Sequence, residues 1–142
     1  MGFVNLVKLC VDTESIEDLA DWHARNAARW PPGCTIHVTR MWPRREAELL
    51  NGGSLYWVIK GLILCRQRLL RLERREGADG ITRCALVMDS TIVRTEARMR
   101  GPFQGWRYLA PEDAPRDLDQ GPERGDTLPE GLARALAEIG LR

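Results

Sequence analysis

The sequence predicts an α+β domain: a small mixed, curled sheet or pseudo-barrel flanked by helices. Three observations carry that prediction. The chain opens in a β-α-β-α order, strand-like runs follow one another from residue 54 to residue 109, and no crossover helix separates those later runs. The last point argues against a doubly wound parallel sheet. A length of 142 residues fits one domain. A chain of this size buries about 68–70% of its unfolded surface, enough for a core without disulfides or metal.

Residues 3–11 are apolar at nearly every position and rich in Val and Leu, as in a strand covered on both faces. Asp12, Thr13 and Ser15 offer side-chain oxygens to the first turn of a helix. Glu14, Glu17 and Asp18 add charge that suits that end of its dipole. Ile16, Leu19, Ala20, His23 and Ala27 recur at helical spacing, so a helix is expected over 15–29, stopped by Pro31-Pro32-Gly33. Residues 35–41 read as a half-buried strand with Ile36 and Val38 on one face and Thr35, His37 and Thr39 on the other. Pro43 opens a short helix to about Leu50, and Asn51-Gly52-Gly53 ends it. Residues 54–60 form the clearest strand, with Leu55, Trp57 and Ile59 facing one way and Tyr56, Val58 and Lys60 the other.

Residues 62–75 support two readings. As a helix, Leu62, Cys65, Leu69 and Leu72 share one stripe; as a strand, a bulge near Leu69-Leu70 turns Ile63, Cys65, Leu69, Leu70 and Leu72 inward. The strand is preferred, because Gly61 and residues 77–80 supply turns at both ends and 82–88 supplies a partner. A turn at Asp89-Ser90 leads to a further strand over 91–99, and then to the aromatic run 103–109. Residues 110–127 are rich in Pro, Asp, Glu and Gly, the composition of a surface tail. Leu132, Leu136 and Ile139 predict a short helix over 129–141. The expected organisation is one α+β domain over 1–117, then a flexible linker and short C-terminal helix over 118–142.

Net charge is +1, so bulk charge selects no partner. Its distribution is uneven: residues 40–75 carry nine cations among three anions, whereas 112–130 carry seven anions and two cations. Only Lys8 and Lys60 among the cations are lysines. Cys10, Cys34, Cys65 and Cys84 form no Cys-x-x-Cys pair, which excludes a zinc ribbon or thioredoxin-type motif. They are expected to be reduced thiols, with no metal and no cofactor. No apolar run approaches the ~20 residues of a membrane span, and the first ten residues do not read as a secretory signal. A cytoplasmic location is therefore expected.

Phosphate loops and nucleophile elbows are absent, and no residue is assigned a catalytic role. His23 is expected as a satisfied core histidine and His37 as an exposed strand residue. Two clusters interleave guanidinium groups with flat aromatics, the pairing that grips single-stranded nucleic acid. One combines Arg40-Met-Trp-Pro-Arg-Arg45 with residues 56–60; the other is 100–108. From them come the candidate nucleic-acid or ligand-binding residues Arg40, Trp42, Tyr56, Lys60, Arg66, Arg68, Gln104, Trp106 and Arg107. Trp57 is assigned to the core, since Leu55 and Ile59 share its face.

Asn5-Leu-Val-Lys-Leu-Cys10, His37-Val-Thr-Arg-Met-Trp-Pro43, Gly53-Ser-Leu-Tyr-Trp-Val-Ile-Lys-Gly61 and the block 100–109 resemble an alphaproteobacterial family of unknown function, number 1489 among such domains. The resemblance covers residues 1 to about 119 and implies no activity or site residue. A weaker likeness, of element order, is to PUA-like pseudo-barrels such as the EVE, ASCH and YTH domains. That likeness implies an aromatic pocket with a basic rim for RNA or a modified base; fold alone does not establish it. Three readings follow: a module binding single-stranded RNA or a modified base, a protein-interaction module without nucleic acid, and an enzyme of unrecognised type.

Overall fold

The domain is organised around β3 (Ser54–Ile59), whose six residues are all buried. The computed structural model describes residues 2–10, 13–101 and 103–118. β1 (Asn5–Leu9) pairs with β3 in parallel, and β4 (Leu62–Glu76) pairs with it antiparallel. Beyond β1 lies β7 (Trp106–Leu109). On the far side of β4, β5 (Thr82–Asp89) pairs with its second half and β6 (Val93–Met99) with its first. β2 (Cys34–Thr39) closes the far edge against β5. The result is a mixed seven-stranded sheet, as the α+β reading requires.

The extended reading of residues 62–75 holds, as do both partners expected for it. Ile59 and Leu62 flank a two-residue turn in which Lys60 (φ 53°) and Gly61 (φ 82°) both take positive φ. That geometry matches the right-handed twist of the two strands. The register slips between Leu69 and Arg71, so a bulge sits where it was expected. Leu70 is the extra residue, however, and points outward, 42% exposed, where an inward position was expected. A second slip, at Leu64, was not foreseen: Val58 pairs with Ile63 and Trp57 with Cys65. It sends Ile63 to one face of the sheet and Cys65 to the other.

Each face has its own cover. On one, Leu6, Leu55, Trp57, Ile59, Cys65 and Leu69 pack beneath Leu19 of α1 (Ile16–Asn26) and Leu49 of α2 (Glu46–Leu49). Ser15 caps α1 by accepting from the Asp18 amide at 3.1 Å. On the other, Val7, Tyr56, Val58, Ile63 and Leu109 are covered by Phe103 and Ala114. Gly53 lies where α2 meets β1: a Cβ there would run into the Val4 and Leu49 carbonyls.

Two expectations are corrected. In β2 the polar residues face inward: Thr35 and Thr39 are buried while Val38 is 47% exposed. The curl of the sheet lays β2 over the Trp57 side, where Gln67 meets Thr35, and Ile36 joins Ala85 and Val87 on the outer side. Residues 110–118 are not a surface tail. Asp117 bridges to Thr95, the Glu96 amide donates to the Arg116 carbonyl, and Pro115 is buried. Of the linker expected from residue 118, only Leu118 is described, its amide donating to the Arg94 carbonyl at 2.9 Å; the rest, with the helix expected over 129–141, lies outside the described residues.

Candidate functional site: an aromatic and histidine cleft

α1 and β2 deliver the two histidines of the chain to each other. His23 follows Leu19 by one helical turn on the buried face of α1, and His37 stands on the inward face of β2. Their Nε2 atoms lie 3.3 Å apart. Three tryptophans surround the pair. The Trp22 ring stacks on His37 at 5.2 Å, Trp57 meets His37 edge-on at 4.5 Å, and Trp30 meets His23 edge-on at 5.8 Å. Trp57 is fixed from behind: its Nε1–H donates to Gln67 Oε1, and Gln67 Nε2 donates to Thr35 Oγ1 and the Asp89 carbonyl, each at 2.9 Å.

A cleft of about 480 Å³ opens beside these rings. Trp22, His37, Trp57 and Leu19 form its aromatic and apolar walls, and Lys8, Arg25, Asp18 and Asp21 line it with two charges of each sign. Burial pushes the His23 imidazole down to about 4. It pushes His37 down to about 3, with His23 and Lys8 adding repulsion. Both rings are therefore neutral near pH 7. Cys10, also on the cleft, donates its thiol hydrogen to Thr13 Oγ1 at 3.2 Å, and burial raises its pKa. His23 Nδ1, fully buried, has no hydrogen-bond partner among the described residues, so His23 is not the satisfied core residue expected. His37 is half-buried in a ring cluster, not exposed.

The residues singled out in the sequence lie elsewhere and divide into groups. Tyr56, Arg66 and Arg68 line a groove of about 440 Å³ on the opposite face, with Phe3, Ser54 and Asp117. Register places Arg107, Val7, Tyr56 and Arg66 in one row across β7, β1, β3 and β4. Arg66 is already engaged: it forks onto Asp117 at 2.7 and 2.8 Å and reaches Ser54 Oγ at 2.9 Å. The Arg107 guanidinium lies 5.3 Å from the Phe103 ring centre and donates to the Gln104 carbonyl; the Gln104 side chain is exposed. Trp106 is buried on the helix side, its Nε1–H donating to the Met41 carbonyl at 3.0 Å. That bond brings the two aromatic–basic clusters together, helped by the Arg45 amide donating to the Tyr108 hydroxyl. Trp42 is 41% exposed and donates to Glu46, and Arg40 is exposed. Lys60 faces Glu14 at 3.7 Å, away from the Tyr56 groove.

Sequence reading missed Trp22, Trp30 and the histidine pair. The available signal was weak: His23 and Leu19 share a helical stripe, and Trp22 adjoins it. What hid the site was the expectation that His37 stands exposed on β2.

The described residues form a small mixed α+β sheet with an aromatic cleft under its first helix, and among them no three His, Cys, Asp or Glu side chains gather as a metal centre. The chain belongs to the DUF1489 family, proteins of unknown function, whose family model matches residues 6–142. The match continues through the C-terminal residues that the sequence resemblance had left out. No curated protein and no solved structure matches the chain, so the PUA-like likeness gains no support. Among the described residues, no helix is long and apolar enough to cross a membrane.

Proposed function

We propose that the protein is a non-catalytic module that binds a nucleobase, free, modified or within single-stranded RNA, in the cleft between α1 and β3. One observation carries the reading: Trp22, His37 and Trp57 present aromatic surface to a single cleft whose volume lies within the ~300–1,000 Å³ range of small-ligand sites. Flat aromatic walls gain most from a flat ligand, and base–aromatic stacking is worth about 1–3 kcal/mol per base. The groups that could do chemistry there are badly tuned for it. Imidazoles pushed down to about 4 and 3 are weak bases at neutral pH, and a thiol raised by burial is a poor nucleophile.

Titration with nucleosides, followed by tryptophan fluorescence, tests this. Quenching that saturates, and weakens at least tenfold in Trp22→Ala, is the expected result. Absence of saturable quenching with any nucleoside or short RNA would remove the reading and favour the protein-interaction alternative.

The row Arg107–Tyr56–Arg66, with Arg68 beside it, favours a second reading: an RNA backbone tracking the opposite face. Arg66 joins such a track only by releasing Asp117. Arg68→Ala should then lower the log–log salt slope of RNA binding by about 0.7 and leave nucleoside quenching unchanged.

A further inference from the structure

Two neutral imidazoles whose Nε2 atoms lie 3.3 Å apart can share only one hydrogen between them. Either His37 donates to His23 or the reverse, and the choice sets what each ring carries on Nδ1. If His37 donated, His23 would hold its remaining hydrogen on Nδ1, which is fully buried and has no partner among the described residues. An orphaned buried N–H is among the rarest features of folded proteins, whereas an unpaired acceptor is better tolerated. The reverse arrangement leaves a bare nitrogen in that position. It also puts the His37 hydrogen on Nδ1, which has no protein partner among the described residues and belongs to a ring lining the cleft.

We propose that His23 is a positioning residue: it donates its Nε2–H to His37 Nε2 and holds His37 as the Nδ1–H tautomer, so that the cleft offers one neutral hydrogen-bond donor to an acceptor on the ligand. The complementary ligand is an uncharged planar heterocycle with a carbonyl oxygen or bare ring nitrogen at its edge. An uncharged ligand fits because Lys8 and Arg25 are balanced by Asp18 and Asp21 on the same lining. The ring is held for this role from two sides: Trp22 stacks on it and Trp57, itself fixed by Gln67, meets it edge-on.

This inference rests on the base-binding reading for its ligand, but the tautomer is measured without one. Long-range 15N–1H spectra of the histidine rings, on the full chain near pH 7, should show His37 protonated on Nδ1 and His23 on Nε2. The opposite pattern overturns the proposal whatever the protein binds. The ligand arm uses uracil against 1,3-dimethyluracil, which keeps both carbonyl acceptors and has no N–H. A donor on His37 predicts affinities within about threefold of each other; a bare Nδ1 predicts loss of at least tenfold for the dimethyl compound. His37→Asn places an amide donor near the Nδ1 position and should retain binding, while His37→Leu should lose at least tenfold. If His37→Leu is folded and binds both probes like the wild type, the donor role is wrong. If neither probe binds while the spectra show the expected tautomers, the base-binding reading fails and the positioning role of His23 stands.

Discussion

The two faces of the sheet carry clefts of similar volume, about 480 and 440 Å³, built from opposite materials. The helix-side cleft has aromatic walls, the His37 imidazole backed by His23, and balanced charge. The opposite groove has Arg66 and Arg68, and it drew attention because residues 40–75 are rich in cations. Yet Arg66 spends its fork on Asp117, Arg45 on Glu48 and Arg71 on Glu73. A cation run in a sequence counts charges without showing which are already paired. The aromatic cleft has hydrogen-bonding capacity left over, on His37 Nδ1, whereas Arg66 has spent much of its own.

The largest effect of a single substitution that would sharpen this comparison is expected at Gln67. Gln67→Leu removes the amide that links Trp57 to Thr35 and the Asp89 carbonyl, leaving buried polar groups unpaired. An unsatisfied buried group costs about 1–3 kcal/mol, so a loss of about 3 kcal/mol is expected in urea unfolding, with an unchanged slope. A loss under about 1 kcal/mol would mean that the wall of the cleft is not held this way.

The next effect is on pH dependence, and its sign follows from the histidines. Both titrate lower in the folded chain than unfolded, so the unfolded state takes up protons first as pH falls. The neutral pair is fully tolerated above about pH 6.5, and stability then falls as pH drops toward 4. At pH 5 the loss should reach about 2 kcal/mol per ring relative to pH 7.5. Urea midpoints at the two pH values measure it, and His23→Phe should roughly halve the difference. A flat profile between pH 7.5 and 5 would contradict the buried neutral pair.

A smaller effect belongs to the opposite groove. Arg66→Met breaks the Asp117 fork, a pair in which each side chain is about a quarter exposed. The expected cost is about 1–2 kcal/mol, more than an open surface pair and less than a sealed one. Thermal unfolding of Arg66→Met, Asp117→Ala and the double variant gives the coupling. Nucleoside quenching at the other cleft should not change in any of them; if it does, the two faces are not independent.

Much of the fold was legible because its signals are local. Alternation in 54–60, turn residues at Gly61 and 77–80, and the Ser15 cap each act within a few positions, and each element formed where expected. The bulge at Leu69–Leu70 was legible too, since neither parity of the strand was clean without it. Alternation alone could not decide which face of β2 turns inward. That depends on β2 lying over the concave side of a curled sheet, where Gln67 makes polar residues tolerable and leaves Val38 outside.

By itself, then, the sequence determined the element order, the two faces of β3 and the family resemblance, and favoured a strand over 62–75, because propensity, periodicity and turn chemistry are short-range properties. Only tertiary structure decided that His23 and His37, separated by 14 positions, share a hydrogen, and that Arg66 meets Asp117 from 51 positions away. Those pairings follow from strand register and sheet curl. They are collective properties of the packed chain, and no local pattern of residues encodes them.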